Sequence, residues 1–571
     1  MLQTEWVDRT FEKTGVLSGT SGRTRDILIL LFFCALIFLP GLGLRDPWPA
    51  DEPRFALAAK QMVDSGQWFF PTLGDEYYPD KPPVFMWIIA ACYAITGNMD
   101  IAFLLPSTLA AFGVILLIYD LGTRLWSRRE GLAAAGSLLI MVQFILQGKS
   151  AQIDMVLTFW TTLALYGMIR YLLLESSIGW FLFGSFCMGL GVITKGVGFL
   201  PIFLLISYAI ALWRGWSPVR KGANARVLLS PLFLLLGALV WFIPMWLLVS
   251  ASNDPALITY RDNILFKQTA DRYLRSWHHI RPFWYYIVNV MPWAWLPFSL
   301  LIVNYSRKWW GRMKQGDNRI WTLVLWCLMV LIFFSISKGK RGVYILPMTP
   351  AFALLLGAVQ EQVFSSKKVQ TYFSVLGYIL GGIFIALGIA LVSAPLITHV
   401  DYFKGLDFVP PSWLFAALIV TGILICIFAK WRGRGSIRGY QGFFINMIII
   451  SLFLSVVIWP VLNPIRSPRA MMNEVRSIIG PDAPLAMVSW KEQLLLYATP
   501  PVKTFGRKTD HAVQLKEAIG WLKTGDSKKW LLIDGSEELG PFVREDAVYK
   551  KRLHGIDWLL FRASGMKKGP Q

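Results

Sequence analysis

Long apolar runs alternate with short polar links through most of the 571 residues. A helix needs about 17–25 residues to cross a hydrocarbon layer about 30 Å thick. Runs of about that length fall near 26–44, 101–119, 132–147, 154–174, 179–194, 198–213, 227–250, 284–304, 320–337, 343–360, 372–395, 412–430 and 441–460. They predict a polytopic α-helical membrane protein with about thirteen transmembrane helices. One further run, 83–96 (PVFMWIIAACYAIT), is apolar but short.

Charge decides how that short run is read. Arg23 and Arg25 precede the first span, which places the N-terminus inside and makes the span a retained one rather than a cleaved signal. If 83–96 and 101–119 both crossed, Arg124, Arg128 and Arg129 would lie outside. Lysine and arginine favour cytoplasmic links, so 83–96 is predicted to be an interfacial or re-entrant helix on the outer face. The links around Arg214–Arg226, Arg307–Lys314, Lys367–Lys368 and Lys430–Arg438 then all fall inside. An odd number of spans puts the C-terminus outside.

The pattern changes after Pro464. Residues 465–571 mix charges with short apolar runs. The segments 484–489, 530–534 and 558–562 predict strands, and 471–479 and 512–522 predict helices. The expected organisation is a transmembrane domain (1–464), whose first outer loop (45–100) carries amphipathic helices, followed by a small soluble α/β domain (465–571).

Composition agrees. The chain is 55% hydrophobic and only 16% charged, against about 25% charged in soluble domains. Its 26 tryptophans suit a protein with many membrane–water boundaries. The net charge of +21 sits largely in short links, where it sets topology, so nucleic acid is not an expected partner. Cys34, Cys92, Cys187, Cys327 and Cys426 all lie in apolar segments, which leaves no disulfide framework and no paired-cysteine metal motif.

Four polar segments on the expected outer face are not explained by topology. Pro49–Phe55 carries Asp51, Glu52 and Arg54 at the start of an amphipathic pattern. Helix-start carboxylates are favourable in themselves, and an active-site carboxylate is the alternative. Tyr77–Pro83 places Tyr78, Asp80 and Lys81 ahead of two prolines that restrict the backbone. A lysine fixed at the headgroup level suits a phosphate. Asp154 opens a span from the outer side, and Lys195 marks another outer turn. The segment 260–284 holds Arg261, Arg272, Arg275, His278, His279 and Arg281, and 337–344 holds Lys338, Lys340, Arg341 and Tyr344. Outer links should be poor in such cations, so these two exceptions point to an anionic ligand or anionic lipid headgroups. Asp80 with His278 is the candidate metal pair. No P-loop, dinucleotide motif or HExxH is present.

Asp51-Glu-x-Arg after the first span, Tyr78-x-x-Lys-Pro-Pro, the outer Asp154 and the late Ser337-Lys-Gly-Lys-Arg with Tyr344-Ile-Leu-Pro resemble the lipid A aminoarabinose transferases. These belong with the protein O-mannosyltransferase relatives in the GT-C glycosyltransferase superfamily, and the resemblance extends over essentially the whole chain. It implies an inverting glycosyltransferase of the bacterial inner membrane that uses a sugar on a polyprenyl phosphate, typically undecaprenyl phosphate. The acceptor would be lipid A or another envelope glycan, with the active site and C-terminal domain periplasmic. Asp51 and Asp154 would be catalytic. Lys81, Arg54, Arg261, Arg272, Lys340, Arg341 and Tyr344 would attend the donor phosphate, with Glu52 and Tyr78 beside them. No cofactor is required, and a divalent metal at Asp80 and His278 is the one option. Phe55 stands where many relatives have tyrosine. Protein hydroxyls as acceptor, or movement of a lipid-linked sugar across the membrane without transfer, are the competing readings.

Overall fold

The computed structural model describes residues 22–215, 224–265, 280–398, 410–430, 437–499, 501–524 and 528–566. Among them, eight helices are long and apolar enough to cross a membrane, or ten if each of two bent pairs forms one span. The other predicted spans fall on shorter helices: Gly22–Phe38, Ile178–Thr194 and Trp413–Ala429. Close approach is built in where glycines face each other. A Cβ on Gly189 would lie 2.8 Å from Gly237 Cα, so the Ile178–Thr194 and Ser230–Ser252 helices touch backbone to backbone there.

The two bent pairs depart from the straight spans predicted at 132–147 and 284–304. Arg128–Ile140 meets Val142–Gly148 at 70°, and Tyr286–Ala294 meets Ser299–Lys314 at 112°. Met141 takes an extended conformation at the first break, and Pro297, which has no N–H to continue a helix, sits in the second. The breaks face each other: Val142 donates its N–H to Leu296 O at 3.2 Å. A backbone group released by one kink is thereby satisfied by the other, as a membrane interior demands.

The first loop holds the Glu52–Ser65 helix, a two-stranded hairpin of β1 (Thr72–Leu73) and β2 (Glu76–Tyr77), and the Val84–Thr96 helix. That last helix is the short apolar run. Its 13 residues reach about 20 Å at 1.5 Å per residue, and Gly97 closes it in a left-handed conformation. The hairpin tip needs its glycine. Gly74 has φ +64°, and a Cβ there would meet the Trp490 ring at 2.9 Å.

Trp490 belongs to the C-terminal α/β unit. Its strands are β3 (Leu485–Val488), β4 (Val502–Thr504), β5 (Trp530–Asp534), β6 (Tyr549–Leu553) and β7 (Ile556–Arg562), in the order β4-β3-β5-β7-β6. β3 is parallel to β4 and β5, while β7 is antiparallel to β5 and β6. Alternate residues face opposite sides. Leu485, Met487, Leu532 and Leu560 pack with Met471, Met472 and Val475 of the Arg469–Ile479 helix. Ala486, Val488, Leu531, Ile533 and Leu559 pack with Leu515, Ala518 and Leu522 of the His511–Lys523 helix. Both faces being covered explains why β3 and β5 read as unbroken apolar runs. β4, β6, the hairpin and the Glu492–Tyr497 helix had no clear sequence pattern.

Candidate active site

The site assembles where the first loop, several span ends and the α/β unit meet. Glu52 is its buried anchor. Its carboxylate takes a bidentate pair from Arg45 at 2.5 and 2.8 Å, and N–H bonds from Trp48 and Ala151, both at 2.9 Å. Arg45 also donates to Lys149 O at 3.2 Å and stacks among Trp48, Phe103 and Trp459. One carboxylate thus ties the loop after the first span to residues 149–151, three positions before Asp154. A buried charge fully paired in this way is costly to break.

Asp51 sits at the N-cap of the Glu52–Ser65 helix, but its side chain makes no capping bond. An aspartate there normally accepts from the second or third helical N–H. Instead its carboxylate, about a quarter exposed, faces Arg341 at 3.2 Å and Arg54 at 3.6 Å. Burial opposes the charge on Arg341, but Asp51, with Tyr344 and Asp154 nearby, outweighs it and raises the guanidinium's pKa. A side-chain cap therefore does not account for the position of Asp51.

Asp154 is buried at the start of the Ile153–Leu172 helix and pairs with Lys195 at 2.5 Å. The Lys195 ammonium lies over the Tyr344 ring, 4.5 Å from its centre. Asp154, Lys195, Tyr344, Arg341, Asp51 and Arg54 thus form a series of mostly alternating charge, contributed by four separate parts of the chain.

The series continues into the C-terminal unit. Arg54 donates to Glu492 at 2.9 Å, and Arg507 pairs with the same carboxylate at 2.9 Å. Burial pushes the Glu492 carboxyl up, and the two guanidinium groups outweigh it, leaving its pKa below the usual glutamate value. Tyr78 is buried beside Arg54, with Arg507 over its ring at 5.7 Å. Burial pushes its hydroxyl up to about 12, against the pull of Arg54. Asp80 faces Lys508 at 3.3 Å and Arg507 at 3.9 Å. Asp75 accepts from Thr504 at 2.9 Å and Lys503 at 3.3 Å.

Lys81 lies between Asp80 and the two prolines, at the entry to the Val84–Thr96 helix. Arg261 pairs with its neighbour Asp262 at 2.8 Å and lies over the Trp246 ring. Lys340 is buried and donates to the carbonyls of Arg281, at 3.0 Å, and Ser337. Arg281 N–H in turn donates to Lys338 O, and Ile280 bridges Gly339. The two cationic segments singled out in the sequence are thus joined backbone to backbone. Arg272, Arg275, His278 and His279 lie outside the described residues.

Metal binding finds no support in the described side chains. No group of three His, Cys, Asp or Glu converges among them, and Asp80 faces two cations that a metal ion would have to displace. Sequence reasoning missed Arg45, Glu492 and Arg507 altogether. Lys195 stood out only as a turn residue. Its position at a turn on the same expected face as Asp154 was the available signal.

The family model described as dolichyl-phosphate-mannose-protein mannosyltransferase matches residues 80–247. The undecaprenyl phosphate-alpha-4-amino-4-deoxy-L-arabinose arabinosyl transferase of Pseudomonas aeruginosa is 30% identical over 424 residues, covering 72% of this chain and 72% of its own length. The protein of the same name from Erwinia tasmaniensis is 29% identical over 424 residues, 72% of this chain and 74% of its own. The crystal structure of ArnT from Cupriavidus metallidurans bound to undecaprenyl phosphate aligns with a TM-score of 0.70 at 19% identity, over 96% of this chain and 100% of that one. The chain therefore belongs to the undecaprenyl phosphate-alpha-4-amino-4-deoxy-L-arabinose arabinosyl transferase family, membrane glycosyltransferases with the GT-C fold.

Proposed function

We propose that this protein transfers 4-amino-4-deoxy-L-arabinose from undecaprenyl phosphate to lipid A, on the periplasmic face of the bacterial inner membrane. The observation that carries this reading is Asp51: a helix-start carboxylate that makes no capping bond and is held between two guanidinium groups. The relatives' names supply the donor and the sugar.

In the reaction the bond from the sugar's anomeric carbon to the carrier phosphate breaks, and a bond to the acceptor oxygen forms on the opposite face. Negative charge grows on the leaving phosphate. Lys81, Arg341 and Arg54 are the cations assigned to it, because preorganised charge aimed at a developing anion lowers the barrier. Asp51 orients the acceptor oxygen and stabilises positive character at the sugar. With a hydroxyl acceptor it also takes the proton. Asp154 holds Lys195 against Tyr344, and Arg261 and Arg272 serve the carrier phosphate from the cationic segment.

Asp51→Asn and Lys81→Ala, each purified and assayed in proteoliposomes with the carrier-linked sugar and lipid A, should lose at least about 100-fold in rate while keeping the wild-type melting temperature. Wild-type rates in either variant sink the assignment. A second reading, transfer to protein hydroxyls, is favoured by the match of residues 80–247 to the protein mannosyltransferase model. Mass spectrometry of lipid A from cells with and without the protein separates the two.

A further inference from the structure

A cleft distinct from the charged site shares none of Asp51, Arg54, Asp154, Lys195 or Arg341 with it. Its volume is about 420 Å³, within the range of small-ligand pockets. Lys60, Tyr93, Asp100, Arg469, Asn473 and Tyr497 line it. The first-loop helix, the short apolar helix and the C-terminal unit each supply a wall.

Half of this lining is locked. Arg469 pairs with Asp46 at 2.7 Å and with Asp100, and its guanidinium lies 4.7 Å from the Tyr497 ring centre. The other half is uncommitted. The Lys60 ammonium, the Tyr93 hydroxyl and the Asn473 amide have no side-chain partner among the described residues. Amide, phenol and carboxylate groups exchange hydrogen bonds with sugar hydroxyls, and an ammonium answers a negative substituent. The tyrosine rings can cover the apolar face of a sugar.

The rim adds a second property. Ile95, at the end of the short helix, is 84% exposed and lies two residues from Gly97 of the lining. A polar cleft with an apolar lip, next to the start of the Met99–Leu125 span, matches a headgroup still attached to its lipid. The walls also lead to the charged site. Lys60 follows Arg54 on the same helix by about 9 Å of axial rise, and Tyr497 ends the helix that Glu492 opens.

We propose that this cleft binds a sugar of an anionic glycolipid acceptor, holding the headgroup while another part of it reaches Asp51. The proposal rests on the transfer reading above and adds a place for the acceptor. The test uses the full chain in lipid nanodiscs carrying both Lys60→Ala and Asn473→Ala. The expected result is a KM for lipid A raised about tenfold, the loss of a charge-assisted contact, with kcat and the donor KM unchanged. An unchanged KM for lipid A overturns it. Should the double variant melt early, Lys60→Gln carries the same comparison. Retention of lipid A by immobilised protein without donor separates the two readings. Stronger retention by wild type than by variant supports the cleft, and equal retention overturns it. Retention by wild type without any transfer overturns the proposed reaction and leaves the cleft standing.

Discussion

Asp51 and Glu52 are adjacent, yet their carboxylates serve different ends. Asp51 faces guanidinium groups at the site, while Glu52 points inward to Arg45 and two backbone donors. Glu52→Ala would strand a buried arginine and two N–H groups, a loss of about 3–5 kcal/mol by analogy with broken buried pairs. The expected outcome is a clear fall in melting temperature in detergent together with lost activity. An unchanged melting temperature would make Glu52 a substrate contact instead. The acidic pair itself was legible in the sequence. The division of labour was not, because it depends on Arg45 and on residues 149–151, which only the packing of two spans brings to the same place.

Among the elements, the late cationic segment behaves differently from its composition. Sequence reasoning assigns Lys340 to a phosphate, but its ammonium closes a link between two backbone carbonyls. Lys340→Met should therefore lower thermal stability with little change in the donor KM. A raised donor KM at unchanged stability would restore the phosphate role. The short apolar helix was legible from the apolar run itself. The bends at Met141 and Pro297 were not, because hydropathy averages over a break and only the proline leaves a trace in the sequence.

At the scale of the whole molecule, the C-terminal unit grips the first loop through ion pairs centred on Glu492, Asp80 and Asp75. The folded-state pKa of Glu492 lies below the usual value of about 4.5. Its contribution to docking is therefore complete above that value and is lost as pH falls through the folded pKa. Limited proteolysis should find the unit released more readily below about pH 4.5, and Glu492→Gln should be equally labile at neutral pH. A release profile that is flat with pH, or unchanged by Glu492→Gln, would remove this carboxylate from the clasp. The strands β3, β5 and β7 were readable because residues on both of their faces are buried. Its contacts were not, since surface charges look alike until two surfaces meet.

The distance along the chain between Arg54 and Glu492, 438 residues, also has a meaning in time. At about 5–20 residues per second, the ribosome supplies the clasp roughly 20–90 s after the loop it fastens. Throughout that interval the nascent protein carries its acidic loop without the partner that holds Arg54. Completion of the charge series through Glu492 is therefore among the last events of biogenesis, and an interrupted chain leaves an inserted bundle with its site unfinished.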